Sequence, residues 1–248
     1  KLEIYQGTKP GGHFFYHKDS PYLQQCLDQM PVRRDVTVHS FGTKADLHVV
    51  GDIQHSAEGL TFQVNGCKSD FFLPLWGDFQ VMNALPVIGI ARLLGCSEQQ
   101  IAQGFRSLKL TGMRANRIQV GPAWILDDTY KSNPESAKAA IDALMSMPAA
   151  THIAVLADML DLGENEWALH EQIGQYAKQK GVDQMICTGP RSKATVQGFG
   201  QSALWMETQE EIVQVLKETV QKPCAVLIKG SRALAMDRIV EELRGAQR

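Results

Sequence analysis

Two stretches of this chain put reactive side chains where a folded sheet would present them. Residues 125–136 read Ile-Leu-Asp-Asp-Thr-Tyr-Lys-Ser-Asn-Pro-Glu-Ser. An apolar run stops at Asp127 and Asp128, a polar turn follows, and Asn133-Pro134 then offers a good helix N-cap and a proline suited to the first helical position. The pattern predicts a strand whose carboxyl end delivers both acids beside a helix N-terminus. Open α/β sheets bind nucleotides and anions at such places. Loops after strands are also commonly acidic with no ligand in view. The second stretch, Lys229-Gly230-Ser231-Arg232, follows the last apolar run. A lysine, a flexible glycine and a hydroxyl at a strand end make an anion cradle, although these four residues are not a phosphate loop. Asp158 ends a third apolar run, and His170 beyond it reads equally as a site residue or as a packed helix histidine.

These side chains need a scaffold, and from about residue 117 the chain settles into strand–helix alternation. Short apolar strands are expected at 124–126, 153–156, 184–187 and 225–228, with helices near 135–145, 167–180, 192–198, 210–220 and 235–243. Repeated units of this size argue a doubly wound, largely parallel sheet. Earlier residues have a mixed rhythm. Strands are expected at 14–16 and 36–40 around a short helix at 21–29, then at 47–54 and 60–64, with Asn65-Gly66 as a hairpin turn toward 71–75. A helix over 81–94 should stop at Gly95, and Ser97-Glu98-Gln99-Gln100 reads as a capping box. Residues 109–116 are the expected connection between a domain at 1–116 and another at 117–248.

Composition narrows the partners. A length of 248 residues leaves room for two domains with their own cores. The net charge of −2 gives no electrostatic reason to expect nucleic acid or an acidic membrane. No run approaches the roughly 18 apolar residues of a membrane span, and no secretory or transit pattern opens the chain. Cys26, Cys67, Cys96, Cys187 and Cys224 form no C-x-x-C pair, and the histidines show no metal spacing. Buried free thiols in a reducing cytoplasm fit this usage. The chain opens on Lys1 in mid-pattern and reads as a fragment or a processed chain.

The acidic block at 127–136 resembles the Asp-Asp-Ser-Tyr-Asn-Ala-Asn-Pro-x-Ser motif of the Mur ligase family. Thr129, Lys131 and Ser132 stand for Ser, the first Asn and Ala. The likeness runs in order along essentially the whole chain. Lys1-Leu2-Glu3-Ile4 resembles the family's Lys-x-Glu-Ile, and Gly77 through Leu85 resembles Gly-x-His-Asn-x-x-Asn-Ala-Leu, with Phe79 and Gln80 departing. Residues 16–22 resemble Val-Asn-Ala-Asp-Asp-Pro-Tyr, with His17 and Ser20 departing, and Lys229 through Arg232 matches Lys-Gly-Ser-Arg.

That resemblance implies an α/β chain made of the back part of a central, ATP-binding domain and a Rossmann-like C-terminal domain. It implies a bacterial, cytoplasmic, monomeric enzyme that uses ATP and Mg2+ to join D-alanyl-D-alanine to UDP-N-acetylmuramoyl-tripeptide through an acyl phosphate. Lys1 takes the position of a carbamylated lysine, whose new carboxylate would suit a hard cation; a frayed terminal residue is the plainer reading. Asn83 maps to the adenine reader, since a carboxamide offers both a donor and an acceptor. Arg114 maps to a phosphate or ribose contact, with a solvated linker charge as the alternative. Asp128 maps to the ribose acid, and Tyr130 flanks the nucleotide. Ser132, Asn133, Lys229, Ser231 and Arg232 are expected at the dipeptide. The family's Gly-rich phosphate loop is absent: no G-K-[ST] occurs in the sequence, and Gly7-Thr8-Lys9 and Gly42-Thr43-Lys44 lack its spacing. In the family that loop precedes the segment matched by Lys1, so it is expected upstream. Another Mur-type or folylpolyglutamate-type amide ligase, or a non-catalytic nucleotide-binding homologue, are the competing readings.

Overall fold

The two sequence rhythms become two units, Lys1–Pro74 with Asp78–Leu108, and Leu75–Gly77 with Lys109–Arg248. The structure, a computed structural model, describes residues 2–56, 58–108 and 112–245. Of the expected connection at 109–116, residues 109–111 lie outside the described residues, and the remainder belongs to the second unit.

The first unit contains α1 (Glu3–Gly7), β1 (His13–His17), α2 (Pro21–Asp28), β2 (Thr37–Phe41), β3 (Val49–His55), β4 (Leu60–Val64), β5 (Phe71–Leu73), α3 (Phe79–Leu93) and α4 (Glu98–Arg106). Strands β1 and β2 pair in parallel, while β3, β4 and β5 form an antiparallel sheet. Leu60, Phe62 and Val64 alternate inward along β4, and Phe71 meets Phe105 of α4 edge-on at 6.0 Å. This is the period-2 burial of a one-sided sheet. Asn65-Gly66 does turn, with Gly66 at φ 72, but it does not make the expected tight hairpin. Phe62 pairs with Phe71, so a longer connection intervenes, and the Asn65 carboxamide is spent on His48 N–H and the Asp46 carbonyl. Helix α3 ends as expected: Gly95, at φ 81, donates to Arg92 and Cys96 donates to Ala91, which satisfies the last carbonyls. Ser97 and Gln100 complete the capping box of α4.

The second unit runs β6 (Asn116–Val120), β7 (Ala123–Asp128), α5 (Pro134–Met145), β8 (His152–Ala157), α6 (Glu166–Lys180), β9 (Gln184–Thr188), α7 (Ser192–Phe199), β10 (Ala203–Met206), α8 (Gln209–Thr219), β11 (Ala225–Lys229) and α9 (Asp237–Gly245). Strand order is β10-β9-β8-β11-β7-β6, parallel except for β6. The doubly wound sheet expected from the strand–helix rhythm is therefore present, and it has two strands, β6 and β10, beyond the expected four. Strand β6 hairpins onto β7 through Gly121-Pro122, and β10 closes the far edge. Central strands are buried along their length, as strands covered on both faces must be. Ile212, Val213 and Leu216 of α8 and Ile239, Val240 and Leu243 of α9 share one apolar cluster with Ile125, Ile153, Ile186 and Val226. Helices α5, α6 and α7 pack together in sequence, α5 against β8 and β11. Because β11 lies between β7 and β8, the loops leaving those three carboxyl ends are neighbours.

The crossing of α6 and α7 depends on two glycines. A Cβ on Gly174 would lie 2.0 Å from the Thr195 carbonyl oxygen, and one on Gly198 would lie 2.2 Å from that of Glu171. Gly174→Ala should therefore cost about 1–3 kcal/mol through overpacking. Gly104→Ala, where nothing lies within 4 Å, should gain about 0.5–1 kcal/mol from helix propensity alone. Urea midpoints of the two variants check both signs.

Candidate nucleotide site at the carboxyl edge of the second sheet

Strand β7 continues through both acids, so Asp127 and Asp128 are its last residues, and Lys229 is the last residue of β11. The parallel register sets Lys229 directly beside Asp128. The Lys229 ammonium lies 2.6 Å from Asp128 Oδ2 and donates to the Lys131 carbonyl at 2.7 Å. Lys229 is only 1 % exposed and Asp128 is half-buried, its side chain 18 % exposed. Asp128 Oδ1 accepts the Ala115 N–H at 3.1 Å. A carboxylate has about four lone-pair positions, so Asp128 keeps acceptor capacity toward a hydroxyl.

Asp127 is buried and turns to its own chain. Its Oδ1 accepts the Thr129 hydroxyl at 2.7 Å and the Thr129 N–H at 3.3 Å. Burial pushes its carboxyl above the ordinary value, against the pull of hydrogen bonds from Thr129 and the Met113 backbone.

The segment Met113-Arg114-Ala115 is pinned across the end of β7. Tyr130 N–H donates to the Met113 carbonyl at 3.0 Å, while Arg232 N–H donates to the Tyr130 carbonyl at 2.9 Å. Met113 and Ala115 both take left-handed backbone, φ 71 and φ 49, which costs a residue with a Cβ about 1–2 kcal/mol. Such strain persists where surrounding contacts over-determine it, commonly at functional sites. Its product here is the pose of Arg114, whose guanidinium stacks 4.1 Å from the centre of the exposed Tyr130 ring.

The other expected residues divide. Asn133 caps α5, its Oδ1 accepting Ser136 N–H at 2.8 Å with Ser136 answering reciprocally, so what it can offer a ligand is its amide N–H donors. Ser132 and Ser231 are buried beside this edge, and Arg232 stays exposed, reaching Met113 Sδ at 2.6 Å and Asp237 at 3.5 Å. Gly230 is required by crowding, since a Cβ there would meet Met236 at 2.6 Å and Ala157 at 3.2 Å. Asn83 sits in the first unit on the exposed side of α3, where its amide reaches Gln80 at 3.5 Å. Lys1 lies outside the described residues. The structure thus brings together Arg114, Asp128, Tyr130, Lys229 and Arg232, with Ser132, Asn133 and Ser231 alongside.

Asp158 and His170 resolve differently. The Asp158 carboxylate accepts the N–H and hydroxyl of Ser192 at 2.8 and 2.7 Å, closing the first turn of α7. His170 accepts the Met159 N–H through Nε2 at 2.9 Å, which leaves Nδ1–H to donate to the Glu166 carbonyl at 2.6 Å. It is the packed helix histidine, tying the loop after β8 to α6. Among the described residues no group of three or more His, Cys, Asp or Glu could hold a metal ion, and no helix is long and apolar enough to cross a membrane.

The "Mur ligase middle domain" family matches residues 1–91, and the "Mur ligase, glutamate ligase domain" family matches residues 113–232. The UDP-N-acetylmuramoyl-tripeptide–D-alanyl-D-alanine ligase of Bacillus subtilis (strain 168) is 30 % identical over 250 residues, covering 98 % of this chain and 53 % of its own length. A crystal structure of MurF from Acinetobacter baumannii superposes with a TM-score of 0.85 at 26 % identity, over 99 % of this chain and 54 % of that one. MurF ligase from Thermotoga maritima, solved in complex with ADP, shares the fold with a TM-score of 0.83 at 24 % identity, over 99 % of this chain and 57 % of that one. The chain spans about half the length of the relatives it matches.

Proposed function

The chain belongs to the Mur ligase family, and on that premise we propose that the protein it forms part of joins D-alanyl-D-alanine to UDP-N-acetylmuramoyl-tripeptide at the expense of ATP. In this reading the tripeptide's terminal carboxylate takes the γ-phosphoryl group, giving an acyl phosphate and ADP. The dipeptide amine then attacks the acyl carbon and inorganic phosphate leaves. The product is a peptidoglycan precursor, made by a monomer in the bacterial cytoplasm.

The observation that supports it is the meeting of two separate motif blocks at one sheet edge. Asp128 closes β7 with Tyr130 just beyond it, and Lys229 closes β11 with Ser231 and Arg232 following. Asp128 is assigned the ribose hydroxyls, and Tyr130 flanks the nucleoside. Arg114, always charged, is assigned a phosphate or ribose contact. Asn83 is assigned the adenine edge. Ser132, the Asn133 amide, Ser231 and Arg232 are assigned the dipeptide, with the exposed Arg232 guanidinium suited to its carboxylate. Mg2+ would accompany ATP and neutralise phosphoryl charge. Lys1, which lies outside the described residues, is its assigned anchor through a carbamate oxygen.

The amine substrate tests the assignment. The intact protein should release ADP with D-alanyl-D-alanine and not with glutamate. Turnover with glutamate alone would move it to another branch of the family.

A further inference from the structure

We propose that Lys229 is a positioning residue: its ammonium fixes Asp128 and the turn at 129–133 for the nucleotide and touches neither substrate. The inference rests on the nucleotide-binding reading of Asp128 given above and deepens it.

The geometry around the ammonium leaves little choice. Lys229 is 1 % exposed at the end of a strand buried along its whole length. It has two acceptors, Asp128 Oδ2 at 2.6 Å and the Lys131 carbonyl at 2.7 Å. To meet a ligand carboxylate it would have to abandon both, leaving Asp128 without its counter-charge and the Lys131 carbonyl without its donor. The first acceptor also leads onward. Asp128 holds the Ala115 N–H through its other oxygen, and Ala115 closes the strained segment that aims Arg114 at Tyr130. The second acceptor is a backbone atom inside the turn that carries Ser132 and Asn133 to the start of α5. One buried cation therefore sets the orientation of the proposed ribose acid and the path of the turn beside it. Arg232, three residues on and with its side chain 62 % exposed, is the cation of the same motif that faces solvent. The two charges of Lys229-Gly230-Ser231-Arg232 divide their work: the first holds the protein, the second is presented to a ligand.

The test is the intact protein with Lys229→Met, measured for ADP affinity and for the KM of D-alanyl-D-alanine. ADP binding should weaken about tenfold or more, roughly one misplaced charge-assisted contact, and the dipeptide KM, which depends on Ser132 and Asn133 of the same turn, should rise by no larger a factor. Lys229→Met combined with Asp128→Asn should lose no more ADP affinity than the worse single variant, as residues acting as one unit do. A risen dipeptide KM with unchanged ADP affinity would overturn the proposal. Should the methionine variant not fold, lysine-selective reductive methylation of the wild-type 248-residue chain, read by peptide mass spectrometry, decides instead. Lys229 should stay unmodified until the chain unfolds and become reactive in Asp128→Asn; prompt native-state modification overturns the proposal. If the wild type shows no dipeptide-dependent turnover, the ligase assignment fails, and the ADP and methylation measurements still judge Lys229.

Discussion

Asp128→Ala should destabilise the second unit by about 3–5 kcal/mol, clearly more than Lys229→Met. The two variants break the same contact from opposite sides, and the difference lies in what remains. Removing Asp128 strands an ammonium that is 1 % exposed, with only the Lys131 carbonyl for company. It also removes the acceptor of Ala115 N–H, so a segment with two left-handed side-chain-bearing residues loses a tie. Removing the lysine charge leaves a carboxylate whose side chain is 18 % exposed and can draw on water. The methionine also refills most of the buried volume left by the lysine stem. Denaturant midpoints at unchanged slope would measure the asymmetry. A loss below about 1 kcal/mol for Asp128→Ala would mean the ammonium finds another partner, because an unpaired buried charge cannot be that cheap.

How far the sequence foretold this site depends on the residue. The strand–helix rhythm and the Asn133-Pro134 start of α5 were legible, because capping chemistry and apolar runs are local signals. The two acids that close β7 were legible as a sheet-edge feature for the same reason. Strand β6 was not: Asn116 falls in the expected connection and Arg117 and Gln119 interrupt its apolar pattern, and it is a strand because Gly121-Pro122 folds it back onto an apolar neighbour. Its alternation with Ile118 and Val120 was the available signal. Strand β10 is a short edge strand with only partial burial, too weak a pattern to separate from a loop. Lys229 shows a different limit. A lysine closing an apolar run reads as exposed, and only the pairing of β11 with β7, more than a hundred residues away in sequence, turns it inward against Asp128. A hint existed in two strands ending in opposite charges, but strand adjacency is a long-range property that no local pattern carries. The pinned pose of Arg114 was likewise invisible, since nothing in Gly112-Met113-Arg114 announces left-handed backbone at methionine and alanine.

The isolated 248-residue chain should show D-alanyl-D-alanine-dependent ADP release at less than about a thousandth of the rate of an intact ligase carrying it. Phosphoryl transfer asks a protein for little covalent chemistry; it asks for placement of the phosphates and neutralisation of the charge that builds on them. In the proposed assignment the residues gathered at the edge of the second sheet would serve the nucleoside end: a carboxylate for hydroxyls, an aromatic ring, and one guanidinium stacked on that ring. The sequence contains no G-K-[ST], and so no loop of backbone amides with an attached lysine for the β- and γ-phosphates. Affinity should accordingly be insensitive to phosphate number. Calorimetry with AMP, ADP and ATP on the isolated chain should give dissociation constants within about threefold of one another, less than 1 kcal/mol apart. ATP binding more than about tenfold tighter than AMP would locate a phosphate cradle within these residues. In that case the turnover deficit would need a different cause, and the first place to look would be the tripeptide site.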